Sequence, residues 1–306
     1  MNSTNNKKIR SKRFLQKERT CYLMLAPQII GFCVFSIIPM IWAIWLSWNY
    51  YDLMKIHFSG WENFITLFKD ATYWKTLVNT FIYAIMKIPV ELPIALILAV
   101  LLSKKIRGAG LYRAVYYLPH IISIALVALV FSNIFGYFGV VNSLLMKFGI
   151  IQRPIEWFKH KFTSMSVVVM ADIWMTFGVN VLYFIAALAN VPDELYESAQ
   201  LDGANSVQSF FKITIPMIAP TLQIILMLSI IGTLGINEMI IVLTNGAPGG
   251  STYSVQSYIF QNYAPGIVSR TVNVGYGCAM SLVTGLILAS VSGLYLKFSS
   301  KLSNIY

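Results

Sequence analysis

Charged side chains are scarce in this 306-residue sequence, at 11% of positions against the roughly 25% usual in soluble domains. Acidic groups are the scarcest, with 12 Asp and Glu beside 23 Lys and Arg. The remainder is apolar: 57% of residues are hydrophobic and the mean hydropathy is +0.66, which excludes an ordinary water-soluble domain. Cysteine is also sparse. Cys21, Cys33 and Cys278 stand apart, in or beside apolar segments, and suggest neither a disulfide framework nor a zinc site. The dipeptide Gly-Lys does not occur, so the phosphate-cradling G-x-x-x-x-G-K-[ST] loop is missing and nucleotide hydrolysis by this chain is not expected. H-E-x-x-H and G-x-S-x-G are missing too, and nothing supports an enzyme.

What the sequence does have is long apolar runs. Six can be drawn, at about 21–47, 76–103, 112–136, 164–189, 217–243 and 273–297, each long enough to cross a bilayer. The expected fold class is therefore all-α, a polytopic integral membrane protein of about six spans. Every run carries Gly, Pro or other small residues, and Pro27, Pro39, Pro89 and Pro93 are expected to kink the first two. The expected organisation is a basic tail at 1–20, a membrane domain at 21–298 and a short tail at 299–306.

The net charge of +11 invites a nucleic-acid reading, but its distribution argues against one. Lys7, Lys8, Arg10, Lys12, Arg13, Lys17 and Arg19 all precede the first apolar run. With Lys104, Lys105, Arg107, Arg113, Lys212, Lys297 and Lys301 they put fourteen basic residues on one side of the membrane, against eight on the other. The positive-inside rule makes the richer side cytoplasmic, with both termini there.

One loop on that side stands out. Residues 190–220 include Asp193, Glu194, Glu197 and Asp202, four of the chain's twelve acids. Pro192 suits a first helical position, and Asp193 and Glu194 then meet the positive end of the helix dipole. Gly203 suits the left-handed position beyond a helix end, and a second short helix is expected from Ser206. Leu195, Tyr196 and Ala199 share a face of the first helix, a small apolar socket for a partner.

The same residues carry a resemblance. Glu197-Ser198-Ala199, then Gly203, then Ile213-Thr214-Ile215-Pro216 resembles the loop signature of binding-protein-dependent ABC importer permeases: Glu-Ala-Ala, three residues, Gly, nine residues, Ile-x-Leu-Pro. The departures are Ser198 for Ala and Ile215 for Leu. Asp202-Gly203-Ala204 and Phe210-Phe211-Lys212 are similar to the carbohydrate branch, maltose or glycerol-phosphate in type, and weaker likeness runs from about Phe14 to Lys297. The resemblance implies a type I importer fold in a bacterial cell membrane, with the loop as a coupling helix docked on a cytoplasmic ATPase dimer that binds the ATP; this chain holds no cofactor or metal. It further implies a second homologous permease and an extracytoplasmic solute-binding protein. Glu197, Ser198, Ala199, Asp202, Gly203, Ile213 and Pro216 are the expected coupling residues.

Ionisable groups in spans are costly in hydrocarbon and are functional candidates by default. Lys87 and Glu91 are four apart and can pair on one helix face. Asp172 has no basic neighbour in the sequence, and Glu238 lies in the fifth run. By offset from the motif anchors, the resemblance implies a sugar site at His120, Asp172, Thr176 and Thr233, with aliphatic Ile124, Val179 and Ile236 and small Gly232 at further matching positions. Asp172 is the expected bidentate acceptor. Trp174, Phe177 and Tyr183 suit either sugar stacking or helix packing. Two other readings stay open: an ion-coupled secondary transporter using Asp172 and Glu238, and a membrane scaffold with no transport path.

Overall fold

A computed structural model of the chain describes residues 20–103, 108–267 and 271–303. The N-terminal basic residues, with Lys104, Lys105, Arg107 and Arg270, lie outside the described residues. The described residues are mostly helical, joined by loops, with one two-stranded antiparallel hairpin among them. The long elements are α1 (Thr20–Leu46), α3 (Ala71–Ser103), α7 (Lys161–Leu188), α9 (Ser206–Leu234) and α12 (Val274–Ser303). Between them lie β1 (Asn49–Tyr51), β2 (Ile56–Phe58), α2 (Glu62–Lys69), α4 (Ala109–Ile121), α5 (Ile124–Ile134), α6 (Val140–Lys147), α8 (Asp193–Leu201), α10 (Glu238–Leu243) and α11 (Val255–Tyr263).

Five of the described helices are long and apolar enough to cross a membrane, and a bent pair makes up to six. Two expected spans are broken. The run at 112–136 is not one helix: α4 and α5 meet at 94°. The backbone is extended at Ile122 and Ser123, just past Pro119, whose missing N–H weakens the last turn of α4. The run at 217–243 ends its helix at Leu234 and restarts at Glu238. Ser254 Oγ donates to the carbonyl of Ile236 at 2.6 Å, so a side chain replaces the interrupted helix ladder. At the other end, α12 runs from Val274 to Ser303, past the end of the apolar run at 297.

Two π-helical turns share a cause. Cys33–Ile37 precedes Ile38-Pro39, and Phe210–Thr214 precedes Ile215-Pro216. A proline ring clashes with the carbonyl four residues back and cannot donate to it. Widening the preceding turn, with Ile38 N–H on Cys33 O and Ile215 N–H on Phe210 O, moves that carbonyl aside. The Pro of the loop signature therefore shapes the second turn of α9.

The core is built along α3 and α7. Leu92, Ala95 and Ala99 of α3 pack with Val181, Phe184 and Ile185 of α7 and Ile225 of α9. Small residues bring helices close where apolar burial gives little drive in lipid. One such close approach is α4 on α7 at Gly178, where a Cβ would stand 1.9 Å from the backbone oxygen of Tyr116. Gly178→Val is expected to pry these helices apart, costing about 3 kcal/mol or more. Thermal unfolding in detergent checks it: Gly178→Val lowers Tm, whereas Gly285→Val, at a glycine with nothing within 4 Å, leaves it unchanged.

Candidate functional site

The loop at 190–220 forms two helices at a sharp turn. Pro192 is the N-cap of α8, so the helix starts one residue later than expected, and Asp193 and Glu194 occupy the first turn. The turn is a complete Schellman motif: Gly203 N–H donates to Gln200 O at 3.0 Å and Ala204 N–H to Ala199 O at 2.9 Å. Gly203 has φ +79°, the left-handed conformation that favours glycine. Asn205 then caps α9 in a reciprocal box with Gln208, both bonds at 2.9 Å. The second short helix is thus the first turn of a span, so any push on the turn is transmitted along α9.

The apolar face of α8 divides differently from the sequence expectation. Tyr196 turns inward, its hydroxyl 2.8 Å from Thr214 Oγ1, and packs with Val191, Ile215 and Ile218. Ala199 is half-buried. Leu195 is exposed, and Leu201, which the pattern did not single out, is 90% exposed with Val207 and Phe211 nearby in sequence and also exposed. Glu197 and Ser198 face solvent. Ala199, Asp202, Gly203 and Ile213 line a groove of about 420 Å³ on the turn, while Pro216 sits half-buried behind the π turn.

A second constellation lies between α3 and α7. Lys87 Nζ donates to Asp172 Oδ2 at 2.5 Å and lies 3.6 Å from Glu91 Oε2, the expected i, i+4 pair. Tyr83 donates to the same Asp172 oxygen at 2.5 Å. Glu91 Oε1 accepts from Thr176 Oγ1 and Asn180 Nδ2, each at 2.8 Å. Lys87, Glu91, Asp172 and Asn180 are all buried. Asp172 therefore has a basic partner, 85 residues away in sequence and invisible to local spacing. Two donors converge on its Oδ2, so this carboxylate ties α3 to α7. Tyr83 and Asn180 were missed; nothing marks a Tyr or an Asn in an apolar run as a network member until the facing helix is known.

Both broken spans reach this cluster. Ile122 and Ile124 from the α4–α5 bend and Ile236 from the α9–α10 break pack into the cluster of buried residues that holds Tyr83, Val168 and Met175. Thr233 is buried one turn before its break, and His120 is exposed one turn before the other, its ring 5.6 Å from that of Tyr117. Glu238 is exposed at the start of α10 and forms no ion pair among the described residues. Of the aromatic candidates, Phe177 packs edge-on to Tyr116, and Trp174 tilts against Phe131.

Residues 68–304 match the family described as binding-protein-dependent transport system inner membrane component. The chain belongs to that family. It is 34% identical over 299 residues to the probable ABC transporter permease protein YesP of Bacillus subtilis (strain 168), covering 95% of this chain and 94% of that one. It is also 34% identical, over 242 residues, to the lactose transport system permease protein LacF of Rhizobium radiobacter, covering 78% and 81%. Among solved structures it is similar to a bacterial ABC transporter involved in the import of the acidic polysaccharide alginate, with TM-score 0.79, 25% identity and 96% and 98% coverage. The all-α permease fold and the membrane-spanning nature of the chain follow. Its relatives are permeases, not enzymes.

Proposed function

We propose that the chain is one of two membrane-spanning subunits of an ATP-driven importer for a sugar, oligosaccharide or related polyol. The observation that carries this is the α8–α9 turn: a capped, exposed helix bearing the coupling signature and fused to a span. A docked ATPase dimer, which binds the ATP, moves that helix, and α9 carries the motion to the break at 235–237. A second homologous permease completes the pathway, and the largely exposed surface of α1 suits a neighbouring subunit or lipid. An extracytoplasmic binding protein delivers the solute at the opposite end of the bundle. The α8–α9 turn and both termini lie on the cytoplasmic side of the cell membrane.

The solute path passes the two breaks, where interrupted helices leave backbone groups to face a ligand. His120, Thr176 and Thr233 contribute polar groups there, and Asp172 acts with Lys87 as a pair that shapes the wall. The substrate class rests on relatives such as the lactose permease. The ion-coupled alternative is the weaker reading, because Lys87 already partners Asp172 and Glu238 forms no ion pair with the described residues.

The test is a mild-detergent pulldown of the tagged chain, with copurified proteins identified by mass and tested for ATP hydrolysis. The expected result is a second permease and an active ATPase. Recovery of the chain alone, moving solute in liposomes without ATP, would overturn the importer.

A further inference from the structure

The short helix α2 presents three faces, roughly 120° apart at 3.6 residues per turn. Asn63, Phe64 and Leu67 are buried, Leu67 among Tyr73 of α3 and Tyr276 and Met280 of α12. Glu62, Thr66 and Lys69 are polar and exposed, and the first two line a recess of about 350 Å³ with Tyr263 and Tyr276. Trp61, Ile65 and Phe68 recur at i, i+4 and i+7, and this apolar stripe is left largely open, at 66%, 53% and 62% exposed. One face meets the protein and one meets water; the third needs an apolar neighbour.

The position of α2 decides which neighbour that is. Asn63 Nδ2 donates to Ser47 O at 2.9 Å and to Asn49 O at 3.0 Å, and Ser59 N–H donates to Trp48 O at 3.0 Å. These acceptors directly follow Leu46, the last residue of α1. The far end of α2 is held to the first turn of α3, where Trp74 Nε1 donates to Phe68 O at 3.3 Å and the two rings stack. Trp42, Trp45, Trp48, Trp61 and Trp74 fall in this one stretch, five of the chain's seven tryptophans. Trp42 and Trp45 are exposed near the end of α1, and Trp61 stands edge-on to Trp48 with ring centroids 6.0 Å apart. Tryptophan gathers where hydrocarbon meets headgroups, so this belt marks the level of the interface and sets α2 within it.

We propose that α2 is an interfacial anchor, its Trp61–Ile65–Phe68 stripe seated in the lipid leaflet at the Leu46 end of α1. The stripe continues the exposed tryptophans of a span, and the polar face of α2 points elsewhere, so its occupant is phospholipid rather than a protein chain. Its side chains reach about 5–10 Å into the boundary between headgroups and acyl chains. Seated there, α2 holds the end of α1 at a set depth through Asn63 and keeps its polar recess on the water side. The anchor depends on the membrane-spanning fold alone, so its failure would leave the importer reading untouched.

The experiment is photocross-linking of the full chain in its own cell membrane, where any protein partner is also present. Trp61, Phe68 or Thr66 is replaced, one at a time, by p-benzoylphenylalanine, and the adducts on the peptide that carries it are identified by mass. Phospholipid adducts are expected to be several-fold more abundant at positions 61 and 68 than at 66, on the polar face. Adducts to another protein or to a second copy of the chain at 61 and 68 overturn the anchor. Equal lipid yield at all three positions overturns it too, as does the lack of any adduct at 61 and 68, which would place the stripe in water. If an aromatic replacement fails to accumulate, the unlabelled chain decides. Phospholipid brominated near the headgroup end of its acyl chains is expected to quench tryptophan emission, and Trp61→Phe to remove part of the quenched fraction. A quenched fraction unchanged by Trp61→Phe overturns the anchor.

Discussion

Gly203→Val is expected to lose the ATPase from the purified assembly while the chain itself stays folded in the membrane. The cause is conformational rather than steric. No atom lies within 4 Å of where a Cβ would sit, so the new side chain collides with no distant neighbour. The φ of +79° is the obstacle, because L-residues lose roughly 1–2 kcal/mol in left-handed backbone and β-branched ones more. The turn can escape only by rotating Gly203 to negative φ, which breaks the bonds from Gly203 and Ala204 to Gln200 and Ala199 and swings α8 out of line with α9. A graded series separates this from general damage. Asn tolerates left-handed backbone and is expected to retain most of the ATPase, Ala an intermediate share, and Val almost none. Copurified ATPase per mole of chain is the readout. Equal retention across Asn, Ala and Val would remove the rigid turn from the coupling argument.

This turn was legible in the sequence because its determinants are local. An acidic first turn, a glycine past the last turn and a helix restart at Ser206 are each set within a few residues, and each sits within one residue of its expected place; the Asn205–Gln208 box that fixes the restart was not read from the sequence. The number of apolar runs was legible for the same reason, since length and hydropathy suffice. The breaks at 122–123 and 235–237 were not. Ile-Ile-Ser and Gly-Ile-Asn are as apolar or as small as many continuous helix segments, and what stabilises the second break is Ser254, eighteen residues downstream. The apolar face of α8 was misjudged on similar grounds: periodicity gives a face, but whether Tyr196 turns inward depends on Thr214. Asp172 shows the limit most clearly. Its chemistry is decided by Lys87 and Tyr83 on another helix, and no spacing rule reaches 85 residues.

The placement of that pair makes a second, equally large prediction. Asp172→Asn is expected to destabilise the chain by about 3–5 kcal/mol, because it leaves the Lys87 ammonium buried in the bilayer interior without its close partner. Glu91 Oε2, at 3.6 Å, then holds Lys87 only through the longer of its two ion pairs, while Oε1 accepts from Thr176 and Asn180. Glu91→Gln is the informative contrast. An amide oxygen still accepts from Thr176 and Asn180, and the Lys87–Asp172 pair remains intact, so the loss is nearer ~1 kcal/mol. Removing both charges at once, Lys87→Met with Asp172→Asn, is expected to recover only part of the stability lost by the single change, since the ammonium is gone but the buried Glu91 carboxylate then loses its own partner. Folded yield and Tm in detergent give the three values. A Glu91→Gln variant more damaged than Asp172→Asn would mean that Lys87 belongs to Glu91 and that the helix pairing is differently held. The double variant carries the functional question. It keeps the α3–α7 seam closed by packing and by the bonds from Thr176 and Asn180 to Glu91, so a stable double variant that assembles normally but no longer couples ATP hydrolysis to the proposed binding protein would place the charge pair on the solute path. The adjoining breaks favour that outcome: a charge pair needed only to join two helices gains nothing from lying where two other helices come apart.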